Sequence, residues 1–278
     1  MATKIRGSRV FITGAGSGIG YQTALVFANS GADIIATDVS LAGLEKLQPE
    51  IEEMGAKCHC HVLDVTEEAD YQALAQTLDT SGLLPDIVVN NAGLGIISPF
   101  LDTSTADWRL TLDINVMGVA LGCRLFSAIW KERGLPGHLV NVSSMAAFAP
   151  PANLSAYVAS KYAVEGLSEV LAMELEACNI SVSCVHPGVI NTPIVQDSAR
   201  SKIPPAQLER LQQHYIEEGV HPRVVAEDIL RGVSEGCGTI LTGKEVGKIA
   251  LLKRLLPRKL YRKVLISASR KIGYLPEK

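Results

Sequence analysis

Tyr157 and Lys161 stand four residues apart in "SAYVASKYAVEGL", a stretch otherwise built mostly of alanine, serine and valine. At helical spacing both side chains leave the same face. A phenol alone is a poor base, with a pKa of ~10. An ammonium a few ångströms away favours the phenolate and lowers that value toward the working range. Such a pair can exchange a proton with a substrate hydroxyl. It is useful only beside something that takes up the electrons.

The segment "TGAGSGIG", Thr13 to Gly20, follows an apolar β-branched run and opens a helical pattern. Its glycines at 14, 16, 18 and 20 fit GxxxGxG from Gly14 through Gly18 to Gly20, and no register of GxGxxG. The physical demand is a turn tight enough to need glycine and bare backbone where a pyrophosphate approaches a helix N-terminus. Asp38 ends the next apolar run, eighteen residues after Gly20. A carboxylate there can hold both hydroxyls of an adenosine ribose and would repel a 2′-phosphate. No Arg or Lys lies between Val10 and Glu45 to neutralise that phosphate. NAD is therefore expected over NADP. Asp38 as a plain helix N-cap is compatible with this role.

Further motifs follow in order: "DV" at Asp64–Val65, "NNAG" at Asn90 to Gly93, "NVMG" from Asn115, "NVSS" at Asn141 to Ser144, "YVASK" at Tyr157 to Lys161, and "HPGVINT" at His186 to Thr192. Together they resemble the short-chain dehydrogenase/reductase family over roughly the first 245 residues. The resemblance implies one Rossmann-type domain with seven parallel strands, and hydride transfer between NAD and a secondary alcohol or its ketone. It makes Asn115, Ser144, Tyr157 and Lys161 the catalytic set. Ser144 would orient the substrate oxygen, Lys161 would also bond the nicotinamide ribose, and Asn115 would support a water relaying protons from Lys161. Gly14, Ser17, Gly18 and Ile19 would cradle the pyrophosphate. Asp64 and Val65 would bind the adenine, and Asn91, Ala92 and Gly93 would wall the cofactor. Pro187, Gly188, Ile190 and Thr192 would hold the nicotinamide end. His186 departs from the family pattern, which more often has Asn there, and is expected to be a satisfied structural histidine.

Each motif alone is weak. A Tyr–Lys pair occurs on many solvated helix faces, and "NVSS" is an ordinary strand end. Their joint order carries the reading. A nucleophilic hydrolase is not supported, because no G-x-S-x-G elbow is present. A non-catalytic dinucleotide-binding sensor or scaffold is the alternative, and the intact catalytic set speaks against it.

The elements that must position these residues alternate along the chain. "RVFIT", "DIIAT", "KCHCHVL", "DIVVNN", "HLVNVSS", "ISVSCVHP" and "GTILTG" read as seven strands. Amphipathic segments at 20–30, 40–54, 67–80, 105–132 and 156–178 lie between them. The alternation predicts right-handed crossovers and a doubly wound α/β parallel sheet with helices on both faces. A length of 278 residues, 47% apolar, suits such a domain over residues 1–245. Residues 189–222 fall outside the alternation and are expected to form a substrate lid. Ile194, Val195, Ile203, Leu208 and Leu211 would cover an apolar pocket, with Phe148 and Pro151 in its wall. That favours an apolar small-molecule alcohol or its ketone as substrate, aliphatic, terpenoid, steroid or otherwise lipid-like, over a sugar.

The six cysteines suggest no disulfide framework. "CHCH" at Cys58 to His61 sits in a strand, so its two cysteines and two histidines face opposite ways, and no metal site is expected. The N-terminus lacks the apolar core of a signal peptide, which makes the cytoplasm the expected location. Net charge is −3, but residues 244–278 carry eleven Lys/Arg against two acidic residues, +9, and the preceding residues fifteen against twenty-seven, −12. The tail from 246 is basic and amphipathic, with a break expected at Pro257. Two readings stay open for it: a peripheral membrane-surface element, or an apolar face packed on the protein's own pocket or a partner subunit. Nucleic acid is not expected, because the acidic body would repel it. The family resemblance implies a homodimer or homotetramer through 105–132 and 156–178.

Overall fold

The computed structural model describes residues 2–196 and 199–276. Seven parallel strands, β1 Arg9–Thr13, β2 Asp33–Asp38, β3 Cys58–Val62, β4 Ile87–Asn90, β5 Gly137–Val142, β6 Ile180–Pro187 and β7 Thr239–Thr242, form one sheet in the order 3-2-1-4-5-6-7. Each falls on one of the seven apolar runs. Alternation along the strands explains why the runs are apolar throughout: Val10, Ile12, Ile34 and Ala36 enter one core layer, while Phe11 and Ile35 enter the other.

Helices α1 Gly18–Asn29, α2 Leu41–Glu53 and α3 Glu68–Thr80 follow the first three strands. After β4, α4 Thr105–Leu112 and α5 Gly118–Arg133 run together through a π-helical turn at Asp113–Met117. This 29-residue run is, by length and composition alone, apolar enough to cross a membrane. In the fold, Phe126 and Trp130 of α5 are buried in the core layer beside Phe11 and Tyr71. Helix α6 Ser155–Glu174 follows β5 and carries "YVASK".

The regions outside the alternation are helical as well. The lid holds a short α7 Pro193–Gln196 and α8 Pro205–Glu218, and α9 Pro222–Glu235 leads into β7. The tail is two helices, α10 Val246–Leu255 and α11 Arg258–Ile272, separated at Pro257 as its missing N–H requires. A satellite core of Ile97, Leu154, Ile203, Leu211 and Tyr274 joins the lid and the tail to the rim of the sheet.

On β3, Cys58 and Cys60 approach to 3.7 Å between sulfurs, on one side of the strand. Among the described residues no three His, Cys, Asp or Glu side chains are grouped to hold a metal.

Candidate active site

The strand order reverses between β1 and β4, and a parallel sheet opens a crevice at the carboxyl ends of its strands at such a point. Gly14, Asp38, Asp64, Asn91, Ser144 and Pro187 each end or directly follow one of the first six strands, so the topology alone gathers them. A cavity of about 850 Å³ lies there.

Its glycine turn is built to admit backbone and nothing more. Gly14 takes φ +66°, and a Cβ on it would meet the Ala92 Cα at 2.9 Å. A Cβ on Gly20 would stand 2.1 Å from the Gly14 carbonyl. The Thr13 hydroxyl accepts the backbone N–H of both Asn91 and Ala92 at 3.0 Å, and Asn91 Nδ2 donates to the Thr13 carbonyl at 2.9 Å. Thr13 thus pins the end of β1 to the end of β4. The sequence reading missed this role, although a hydroxyl immediately before the glycines was its signal.

Every residue expected at the dinucleotide lines this cavity. Gly14, Ser17, Gly18 and Ile19 form one stretch of its wall, with Asp38, Asp64 and Val65 beyond them. Asn91, Ala92 and Gly93 line the cavity, as do Pro187, Gly188, Ile190 and Thr192. The Asp38 carboxylate accepts the Gly16 N–H at 2.9 Å and the Ser40 N–H at 2.8 Å, which fixes it at the cavity edge. A collar of glycine backbone, a helix N-terminus and an oriented carboxylate fits an adenine dinucleotide.

Ser144, Tyr157 and Lys161 line the same cavity. The Lys161 ammonium lies 5.5 Å from the Tyr157 ring centre and donates to the Val142 carbonyl at 2.9 Å. Ser143, its neighbour's double in sequence, instead donates to the Lys161 carbonyl at 2.8 Å. Burial pushes Tyr157 up to about 12, and the hydrogen bond from Ser144 pulls only partly against it. Burial likewise lowers Lys161 to about 8. Both groups are desolvated together, which disfavours the charged form of each.

Asn115 does not line the cavity. It is fully buried in the π-helical turn, where Nδ2 donates to the Leu94 carbonyl at 2.9 Å and to Ser160 Oγ at 3.0 Å. Its Oδ1 accepts the Leu94 N–H at 2.9 Å. Ser160 in turn donates to the Tyr157 carbonyl at 2.6 Å, so Asn115 braces the helix turn that carries the tyrosine.

Part of the lining is apolar. Ile97, Leu154 and Ile194 belong to it, as do Pro151, Tyr215 and, from the tail, Ile249, Leu265 and Ile272. Phe148 is not in this wall: its ring packs on His186 at 4.5 Å between centres. His186 is buried, approaches the Ser144 carbonyl at 3.4 Å through Nδ1, and is held neutral by burial with a pKa lowered to about 4. Ile203, Leu208 and Leu211 do not line the cavity; they pack in the satellite core with Ile97, Leu154 and Tyr274, which do. The Val195 side chain lies outside the described residues. Tyr274, which the sequence did not single out, is buried and shares a 2.6 Å hydroxyl contact with Tyr215 at the pocket wall.

The family model described as short chain dehydrogenase matches residues 8–202. The probable oxidoreductase EphD of Mycobacterium tuberculosis is 45% identical over 186 residues, covering 67% of this chain and 31% of that protein. The chain thus spans about a third of that relative's length. Cyclohexanol dehydrogenase of an Acinetobacter species is 34% identical over 200 residues, covering 71% of this chain and 78% of the relative. A short chain dehydrogenase/reductase from Burkholderia phymatum, solved in complex with NAD, superposes with a TM-score of 0.83 at 29% identity, covering 94% of this chain and 96% of that one. With its glycine collar, its Tyr–Lys pair and the first six strands of its sheet in the matched span, this chain belongs to the short-chain dehydrogenase family.

Proposed function

We propose that the chain is an NAD-dependent oxidoreductase that interconverts an apolar secondary alcohol and its ketone. The observation that carries this is that Ser144, Tyr157 and Lys161 line the same cavity as the glycine turn and Asp38. When bound, the nicotinamide accepts the hydride that leaves the carbinol carbon. Tyr157 takes the hydroxyl proton in that step and returns it in reduction. Ser144 hydrogen-bonds the phenol and the substrate oxygen, orienting one to the other. Lys161, beside the positive charge of an oxidised nicotinamide, favours the phenolate form of Tyr157. Asn115 acts through the helix turn it braces.

Asp38 supports NAD over NADP, since no cation nearby on the chain would accept a 2′-phosphate. The apolar part of the lining supports an alicyclic or other hydrocarbon-rich alcohol, in line with the relative named cyclohexanol dehydrogenase. The reading extends to a homodimer or homotetramer through the outer faces of α5 and α6, where Val170 and Met173 are exposed.

The test is NADH formation across secondary alcohols graded by size and polarity, with NADP in parallel. The reading expects turnover of apolar alcohols with NAD and a loss of about 10²–10⁴-fold in Tyr157→Phe. Faster turnover with NADP, or near-normal activity in that variant, overturns it.

A further inference from the structure

Helices α10 and α11 have two faces with different surroundings. Inward, Ile249, Leu265 and Ile272 line the cavity. The pair is tied to the body by side chains: Lys253 Nζ donates to the Ala147 carbonyl at 2.7 Å, and the Tyr261 hydroxyl to the Phe148 carbonyl at 2.9 Å. Just beyond α11, Asn153 Nδ2 donates to the Tyr274 carbonyl at 2.7 Å. The tail is therefore a fixed roof.

Outward, the bend at Pro257 presents apolar and cationic side chains together. Leu251 and Leu255 stand four apart on α10, and Leu260 and Val264 four apart on α11; all four are exposed, Leu255 by 67%. Arg258 and Arg262, and Lys259 and Lys263, are exposed pairs at the same spacing. Nine Lys/Arg and no acidic residue fall between Val246 and Pro276. Among the described residues, none of those four cations enters an ion pair.

We infer that this outer face seats on an anionic phospholipid surface, its leucines in the headgroup–acyl boundary and its cations against the phosphates. Both halves of the pattern are needed for that choice. A second copy presenting the same face would set like charges against like. A polyanion without an apolar phase would satisfy the cations and leave the leucines in water. A lipid surface satisfies both. The body at −12 and the tail at +9 also orient the molecule tail-first toward a negative surface. Each Lys or Arg close to such a surface raises affinity roughly fivefold. This deepens the proposed function, because the seated helices are the roof of the pocket and hold it against a reservoir of apolar alcohol.

The experiment is vesicle flotation of the full chain with NADH present, comparing phosphatidylcholine vesicles with vesicles that also contain phosphatidylglycerol. Two variants accompany it, Arg258→Glu/Lys259→Glu/Arg262→Glu/Lys263→Glu and Leu255→Asp/Leu260→Asp, with circular dichroism and NADH fluorescence checking that each is folded. The wild-type chain floats with the anionic vesicles, added salt weakens it, and each variant lowers the bound fraction by at least about tenfold. Both variants keep their turnover of a water-soluble secondary alcohol. No flotation of the wild type, equal flotation on pure phosphatidylcholine, or unchanged flotation of both variants overturns the inference. So does a fall in oligomer size by sedimentation velocity in the variants without vesicle binding, which assigns the face to a second copy. Flotation reads no turnover, so its outcome is separate from that of the dehydrogenase assay.

Discussion

The backbone N–H of Gly16 donates to Asp38 Oδ2 at 2.9 Å, so the glycine turn after β1 and the acidic end of β2 form one unit. A Cβ on Gly16 would sit 2.9 Å from that carboxylate. On the proposed NAD-dependent reading, discrimination between dinucleotides would rest on a carboxylate that also shapes the turn. Asp38→Ser should lower kcat/KM for NAD by about ten- to a hundredfold, the worth of a hydrogen bond to a charged group. Activity with NADP should hold or rise. Steady-state kinetics with both dinucleotides checks this, and an unchanged NAD preference refutes the role.

The Tyr157–Lys161 pair sets a pH dependence. Lys161 at about 8 and Tyr157 at about 12 mean that the pair keeps both protons below pH ~8 and shares one above it. Oxidation needs the form that has lost a proton, so log kcat/KM for alcohol should rise with unit slope up to pH ~8 and then level. Ketone reduction needs the doubly protonated pair, so it should fall above the same point. Lys161→Met should move the rising limb upward, toward the value of the buried phenol alone. An oxidation profile flat from pH 6 to 9 would contradict the assignment.

Acid stability should be governed by two buried histidines. His138, between Thr3 Oγ1 and Ser183 Oγ at 2.8 Å each, and His186 both have pKa values lowered to about 4 by burial. Unfolded histidine titrates near ~6.5, so between these values the unfolded chain binds more protons. The stability these groups contribute is present above pH ~6.5 and is lost as pH falls toward ~4, by roughly 3 kcal/mol for each. Thermal melts at pH 7 and pH 4.5 should show this, and His138→Gln should flatten the slope by about half.

Tyr274 ties the tail to the lid through its 2.6 Å hydroxyl contact with Tyr215. Tyr274→Phe removes one buried hydrogen bond, about 1 kcal/mol, and should lower Tm by about 2–4 °C. Tyr274→Ala also opens the pocket wall, so KM for a bulky alcohol should rise while NADH affinity is kept. Loss of dinucleotide binding in Tyr274→Ala would show that the roof serves the whole cavity.

The strands and the crevice were legible because their signals are local. β-branched runs such as "DIIAT" and the glycine turn state their conformation within a few residues. What escaped is set by contacts between distant segments. Tyr274 meets a tyrosine 59 positions away, and nothing near it in sequence announces that. Phe148 looks like a pocket wall in "FAPPAN", yet His186, 38 residues on, offers a flat partner and turns it aside. Asn115 sits in a π-helical turn, an irregularity no apolar periodicity records, and its amide bonds Leu94 and Ser160. For the tail, where two readings were open, Ile249, Leu265 and Ile272 line the pocket, and Leu251, Leu255, Leu260 and Val264 are exposed.

The sheet order has a kinetic consequence. The hydroxyl of Thr13 that joins β1 to β4 reaches a residue 78 positions along the chain, and no ladder in the sheet joins strands through a tight hairpin. Each pairing must close a long loop before it gains any hydrogen bond, so the chain belongs among slow folders, on the millisecond-to-second scale or beyond. The crevice between β1 and β4 cannot form until both flanking crossovers have wound, and dinucleotide added during refolding should act late, on a nearly finished sheet.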